Sequence, residues 1–238
     1  GVINDDLNHH IPREASSVDM KALLDAFGSL IVALRFGSES YARGDLTKAK
    51  EAFQEALQLF STTNNHRGLG IAHNNLGAVS LNQGALGEAQ IHYIAAIENA
   101  RENMNNPALD KKKSAAVLAD RMGNHALLKQ EQGDFTEAFQ LLEDAVRLDE
   151  EHGNTKGYVT RRGLLGHWYL KQGEVKEAQK VFEQILQFVS QGDEVQFNST
   201  WNTDEIPRAS QVAWFNMGLL ARDRKDFVEA ERFLVTAL

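Results

Sequence analysis

The sequence predicts an all-helical fold of about five stacked helix pairs, on three observations. Ala, Leu, Glu and Gln are abundant and only three prolines occur in 238 residues, a composition that favours helix. One turn pattern returns five times along the chain. After each turn, apolar and small residues stand at offsets of 2, 5, 9 and 12. Those steps of three and four residues trace one face of a helix.

The turns centre on Gly44 (ARGDLTKAK), Gly84 (NQGALGEAQ), Gly133 (EQGDFTEAF), Gly173 (KQGEVKEAQ) and Lys225 (DRKDFVEAE). Their spacings are 40, 49, 40 and 52 residues, so one period of 40 carries two insertions. Glycine suits the left-handed position that ends a helix, and Asp45, Asp134 or Asp226 can cap the next one. Five residues after the turn stands alanine every time: Ala49, Ala89, Ala138, Ala178 and Ala230. Nine after it the residue is large: Phe53, Tyr93, Leu142, Phe182 and Leu234. Twelve after it the residue is usually small: Ala56, Ala96, Ala145 and Ala237, with Ile185 between them. Seven before it is a small residue: Gly37, Gly77, Ala126, Gly166 and Gly218. Eight before it is large and apolar, with His125 the exception. A small residue lets a neighbouring backbone come close, and a large one opposite fills the space.

Taken in order, residues 1–18 lack periodicity, carry Pro12 and read as an irregular arm. The array follows over 19–238, in pairs at about 19–62, 66–104, 109–152, 155–190 and 206–238. The first helix is long and has Leu23, Phe27 and Leu30 on one stripe. Residues 102–112 form the first insertion, where Lys111 to Lys113 read as a solvated helix start. Residues 190–208 form the second, a polar segment carrying Phe197, Trp201 and Ile206 that is expected to dock on the array. Arg43-Gly44-Asp45 spells an adhesion tripeptide. Its recurrence as Gly-Asp at 133–134 marks it as a turn.

This pattern resembles the tetratricopeptide repeat (TPR) over nearly the whole chain. With a period of 40 and HNNLG at 73–77, it is most similar to the long-repeat arrays of kinesin light chain and polarity adaptors. The resemblance implies a right-handed superhelical solenoid whose first helices line a concave groove. Carried over by position, the groove stripe holds Leu34, Arg35, Ser38 and Tyr41, then Asn74, Asn75, Ala78 and Leu81. It continues through Gly123, Asn124, Leu127 and Gln130, then Gly163, Leu164, His167 and Leu170, and ends on Phe215, Asn216, Leu219 and Arg222. Asparagine stands nine before the turn at Asn75, Asn124 and Asn216. An amide both donates and accepts, and the resemblance implies that these pair with the backbone of an extended ligand. The cationic and asparagine clamp of the chaperone-binding subclass is missing, so the acidic carboxylate tail of chaperones is not an expected ligand.

Chemistry is not expected. GLGIAHNNLG at 68–77 begins like a dinucleotide loop but has His73 in place of the third glycine and no strand before it. The chain has no cysteine, which excludes thiolate metal sites and a cysteine nucleophile. The histidines are scattered apart from the adjacent His9 and His10 and the pair His66 and His73 on one helical face. No cofactor and no metal are expected, and the protein is not expected to be an enzyme. The net charge of −8 argues against nucleic acid, and no apolar run approaches membrane-span length. The expectation is a cytoplasmic interaction scaffold holding a protein or peptide ligand, a fragment of something larger. The alternative is the cytoplasmic regulatory or sensor portion of a signalling receptor or enzyme, since the long first helix resembles a signalling linker.

Overall fold

A computed structural model describes residues 17–63, 65–192 and 205–238, with side chains described over 28–63, 65–188 and 211–238. The arm at 1–16 and most of the second insertion, with Phe197 and Trp201, lie outside the described residues, as does the side chain of Ile206. The described residues form ten helices and no strand: α1 (Ser17–Ala42), α2 (Leu46–Thr62), α3 (His66–Asn82), α4 (Leu86–Asn105), α5 (Lys111–Glu131), α6 (Phe135–Glu151), α7 (Thr155–Lys171), α8 (Val175–Gly192), α9 (Glu205–Asp223) and α10 (Phe227–Thr236). The chain divides into two compact units, Gly1–Asn99 and Ala100–Leu238.

The turns are built as the pattern implies. Gly44, Gly84, Gly133 and Gly173 have φ of 80°, 75°, 78° and 78°, and Lys225 adopts φ 64° in the fifth turn. At each, the amide after the left-handed residue reaches back over the helix end. Asp45 N–H donates to Ser40 O and Ala85 N–H to Ser80 O, both at 2.9 Å. The same bond runs from Asp134 to Lys129, Glu174 to Tyr169 and Asp226 to Ala221, again at 2.9 Å. It satisfies a carbonyl that the helix end would leave orphaned. Asp45, Asp134 and Asp226 then accept the amides of Lys48, Glu137 and Glu229 at 3.1–3.2 Å, capping α2, α6 and α10. Arg43-Gly44-Asp45 is therefore consumed in a helix–turn–helix joint. Asp110 caps α5 at Lys113 N–H, 3.0 Å, so the lysines of the first insertion form an exposed helix start.

Small and large residues meet across each pair. A Cβ added to Gly37 would lie 2.6 Å from the Phe53 ring, and one on Gly77 would lie 2.8 Å from Tyr93. In the second unit Gly166 meets Phe182 at 2.7 Å and Gly218 meets Leu234 at 2.6 Å. Only a hydrogen fits at these crossings, and the Phe53, Tyr93 and Phe182 rings opposite are buried in exchange. The five alanines at offset 5 are all buried between helices. Ala56, Ala96, Ala145 and Ile185 are buried too, whereas Ala237 is half-buried.

In the first unit, Ala33, Ala56, Phe60 and Ala72 form one core cluster and Ala49, Phe53, Leu76 and Val79 another. In the second, Leu142, Val159, Trp168, Phe182, Ile185 and Met217 belong to one continuous core. His125, the exception at its register, is buried with its Nε2 unpartnered. Burial lowers its pKa, helped by the charge of Lys129, so the core disfavours its charged form.

Candidate functional site

The first helices α1 and α3 carry the expected stripe of the first unit. Arg35 is exposed and bonds Glu39 at 2.9 Å, one turn along its own helix. Tyr41 is partly exposed, and its hydroxyl accepts a bond from Asn82 Nδ2 at 2.7 Å, which ties the C-terminal turns of α1 and α3. Asn75 is half-buried. Asn74 is buried.

In the second unit the stripe lies on α5, α7 and α9. Gly123 and Gly163 are half-buried glycines with room above the backbone. A Cβ on Gly123 would find only Arg161 Cδ at 3.8 Å, and one on Gly163 would find nothing within 4 Å. Asn124 and Gln130 are half-buried, Leu127 is 37% exposed and His167 is exposed. Asn216 donates from Nδ2 to Val212 O at 2.8 Å within its own helix, which occupies one of its donors. Arg222 pairs with its neighbour Asp223 at 3.0 Å. Phe215 is half exposed and lines an apolar cleft with Val212, Leu234, Ala237 and Leu238.

Beneath this stripe lies a charged network that the sequence reading missed. Asp149, at the end of α6, is fully buried. It accepts Arg161 Nε at 2.6 Å and Nη2 at 2.9 Å, and Asn154 Nδ2 at 2.7 Å. Arg161 on α7 sends Nη1 to Asp120 on α5 at 2.8 Å. Burial pushes the Asp149 carboxyl above its ordinary range, while the Arg161 and Asn154 bonds pull against it. Asp120 stands on α5 one turn before Gly123, so the network fixes α5 against α7 under the two open glycines. The register explains its origin. In the first unit the equivalent positions hold Phe60 and Ala72, and Gly68 makes room for the Phe60 ring. In the second, Gly157 makes room for Asp149, Asn154 and Arg161. The one available signal was Asp149 and Arg161 standing where the first unit has an apolar pair.

Two further contacts join helices in the first unit. Lys50 on α2 bonds Glu88 on α4 at 2.8 Å. His73 on α3 and His92 on α4 bring their Nδ1 atoms to 3.0 Å. Among the described residues no group of three or more potential ligands could hold a metal ion. Nor is any helix long and apolar enough to cross a membrane.

Helix pairs joined by a left-handed turn, with a glycine seated on a large residue at Gly37, Gly77, Gly166 and Gly218, define a tetratricopeptide-type helical repeat protein. The chain belongs to the MalT-like TPR region family, which matches residues 25–232. No curated protein matches it. Among solved structures it is similar to BtubC (BKLC) from P. vanneervenii, at 16% identity and a TM-score of 0.65, covering 94% of this chain and 90% of that one. It is similar to a putative kinesin light chain of nearly identical TPR-like repeats from Podosopora anserina, at 16% identity and 0.57, covering 90% and 93%. A Rap protein complexed with competence and sporulation factor matches at 14% identity and 0.59, covering 90% of this chain and 64% of that one. At these identities the likeness is one of fold.

Proposed function

We propose that this chain is a non-catalytic interaction scaffold that holds an extended peptide or partner helix along its first helices. The observation that carries the reading is the open backbone at Gly123 and Gly163 in the second unit. Two glycines of equivalent register leave bare helix surface beside Asn124, Leu127 and His167. Such a surface admits a ligand backbone at close range, with amides to pair with it and apolar side chains to anchor it. The Rap structure, solved as a complex, adds that a fold of this kind can carry a ligand. In the first unit, Arg35, Tyr41 and Asn75 form the corresponding stretch, treated as a separate surface. Division into five repeats and a cytoplasmic setting belong to the same proposal.

The test is selection from a random peptide library, followed by titration of the selected peptide. Losing one buried hydrogen-bond partner costs about 1–3 kcal/mol, so Asn124→Ala should weaken binding by roughly 5-fold to 150-fold. The melting temperature should hold. A sharp fall in melting temperature with affinity unchanged would make Asn124 a structural residue instead. A peptide ending in an acidic carboxylate tail is the negative control.

A further inference from the structure

Two of the scattered histidines meet in the fold. His73 and His92, nineteen residues apart, face each other across α3 and α4 with Nδ1 atoms 3.0 Å apart and ring centroids 5.3 Å apart. Both are half-buried. At that separation a proton must lie between the two nitrogens: one ring donates from Nδ1 and the other accepts. The charged groups facing the pair are few. Glu88 of α4 lies 3.9 Å from His92 Nε2, and Lys50 of α2 is bonded to that same Glu88.

We propose that His73 and His92 form a proton-gated latch between α3 and α4, closed while the two Nδ1 atoms share one proton and opened when each Nδ1 carries its own. The chemistry is that of two acceptors and a counted number of protons. With both rings neutral, one Nδ1–H donates to the other Nδ1. One added proton leaves a charged ring donating to a neutral one, so the bond survives, and Glu88 favours the charge on His92. A second added proton leaves two donors and no acceptor, with two positive charges in contact. The bond is then lost, and α3 and α4 repel where they had been tied.

Burial lowers the pKa of both rings, and the charge of His92 lowers that of His73 further. The folded pair therefore holds fewer protons than the unfolded chain as the pH falls below the ordinary histidine range. The stability it contributes is present above about pH 6.5 and drains away as the pH drops towards the lowered values. Because the rings interact, the two steps belong to the pair rather than to either ring. His73 directly precedes Asn74 and Asn75, so opening the latch removes one tie beside the segment of α3 that carries the first unit's stripe. The latch stands whether or not that stripe binds a ligand.

Nitrogen-resolved NMR of the histidine rings in the whole chain tests it. At neutral pH one of the two rings should carry its proton on Nδ1, and the pair should titrate in two steps about one pH unit or more apart. Finding both rings protonated on Nε2 at neutral pH would overturn the proposal. Melting curves supply the second measurement. His92→Gln keeps a hydrogen-bonding side chain but cannot take the second charge. The melting temperature of this variant should fall less between pH 7 and pH 5 than that of the unmodified chain. Other acid-sensitive groups contribute to both and cancel. Equal falls would remove the latch.

Discussion

Replacing Arg161 by alanine should strip two of the three side-chain bonds from a carboxylate that has no access to water. Asp149 would keep only the Asn154 amide at 2.7 Å, and Asp120 would lose its partner at 2.8 Å. Asp120 is largely solvated, so its loss is small and Asp149 carries nearly all the cost. Breaking a buried pair from one side costs about 3–5 kcal/mol, which for a unit of this size lowers the melting temperature by roughly 10–20 °C. The first unit contains the remedy. There Phe60 and Ala72 occupy the same registers, and a glycine makes room for the ring. Asp149→Phe combined with Arg161→Ala copies that arrangement, and Gly157 is already in place to accept the ring. Replacing a buried ion pair by well-packed apolar groups is often neutral or favourable, so the double variant should return to within about 1–2 kcal/mol of the original. The assay is urea unfolding followed by tryptophan fluorescence. All three tryptophans lie in the second unit, so the signal reports on the unit that is perturbed. A cost below about 1 kcal/mol for Arg161→Ala would mean that the network does not hold the unit. A double variant as weak as the single one would refute the equivalence of the two registers.

Gly163 and Gly166 stand one turn apart on α7 and should respond with opposite sign to alanine. Gly163→Ala meets open space and should stabilise by up to about 1 kcal/mol through helix propensity. Gly166→Ala drives a methyl into the buried Phe182 ring and should cost about 1–3 kcal/mol, read from the same urea curves. Lys225→Gly removes a side chain from a left-handed residue at φ 64° and should stabilise the last pair by on the order of 1 kcal/mol, seen as slower amide exchange in α10. No gain there would mean that the lysine side chain supports the turn.

Much of the fold was legible because it is written five times. Gly44 and its counterparts, the alanines five residues later and the crossings of a small residue on a large one each answer a steric demand that recurs from pair to pair. Repetition is also what the missed features lack. Asp149 sits beside the exposed Glu150 and Glu151 and reads like a third solvated acid. Its burial follows from Arg161, twelve residues away on another helix, and from a glycine at 157 that looks like any other. His73 and His92 face each other only once α3 and α4 are paired, and spacing along the chain carries no trace of that. Asn216 partly satisfies itself, bonding a carbonyl of its own helix, an option open to any asparagine four residues after an unencumbered backbone oxygen.

The proposed groove is tested most directly by filling it. Gly163→Trp places a large side chain over the open backbone of α7, where a Cβ meets nothing. Gly87→Trp does the same on α4, at an exposed glycine outside the stripe that also has nothing within 4 Å. Isothermal titration of a library-selected peptide against the two variants and the unmodified chain is the measurement. The account predicts that Gly163→Trp abolishes binding while Gly87→Trp leaves the affinity unchanged, with both variants folded as before. Undiminished affinity in Gly163→Trp would contradict it.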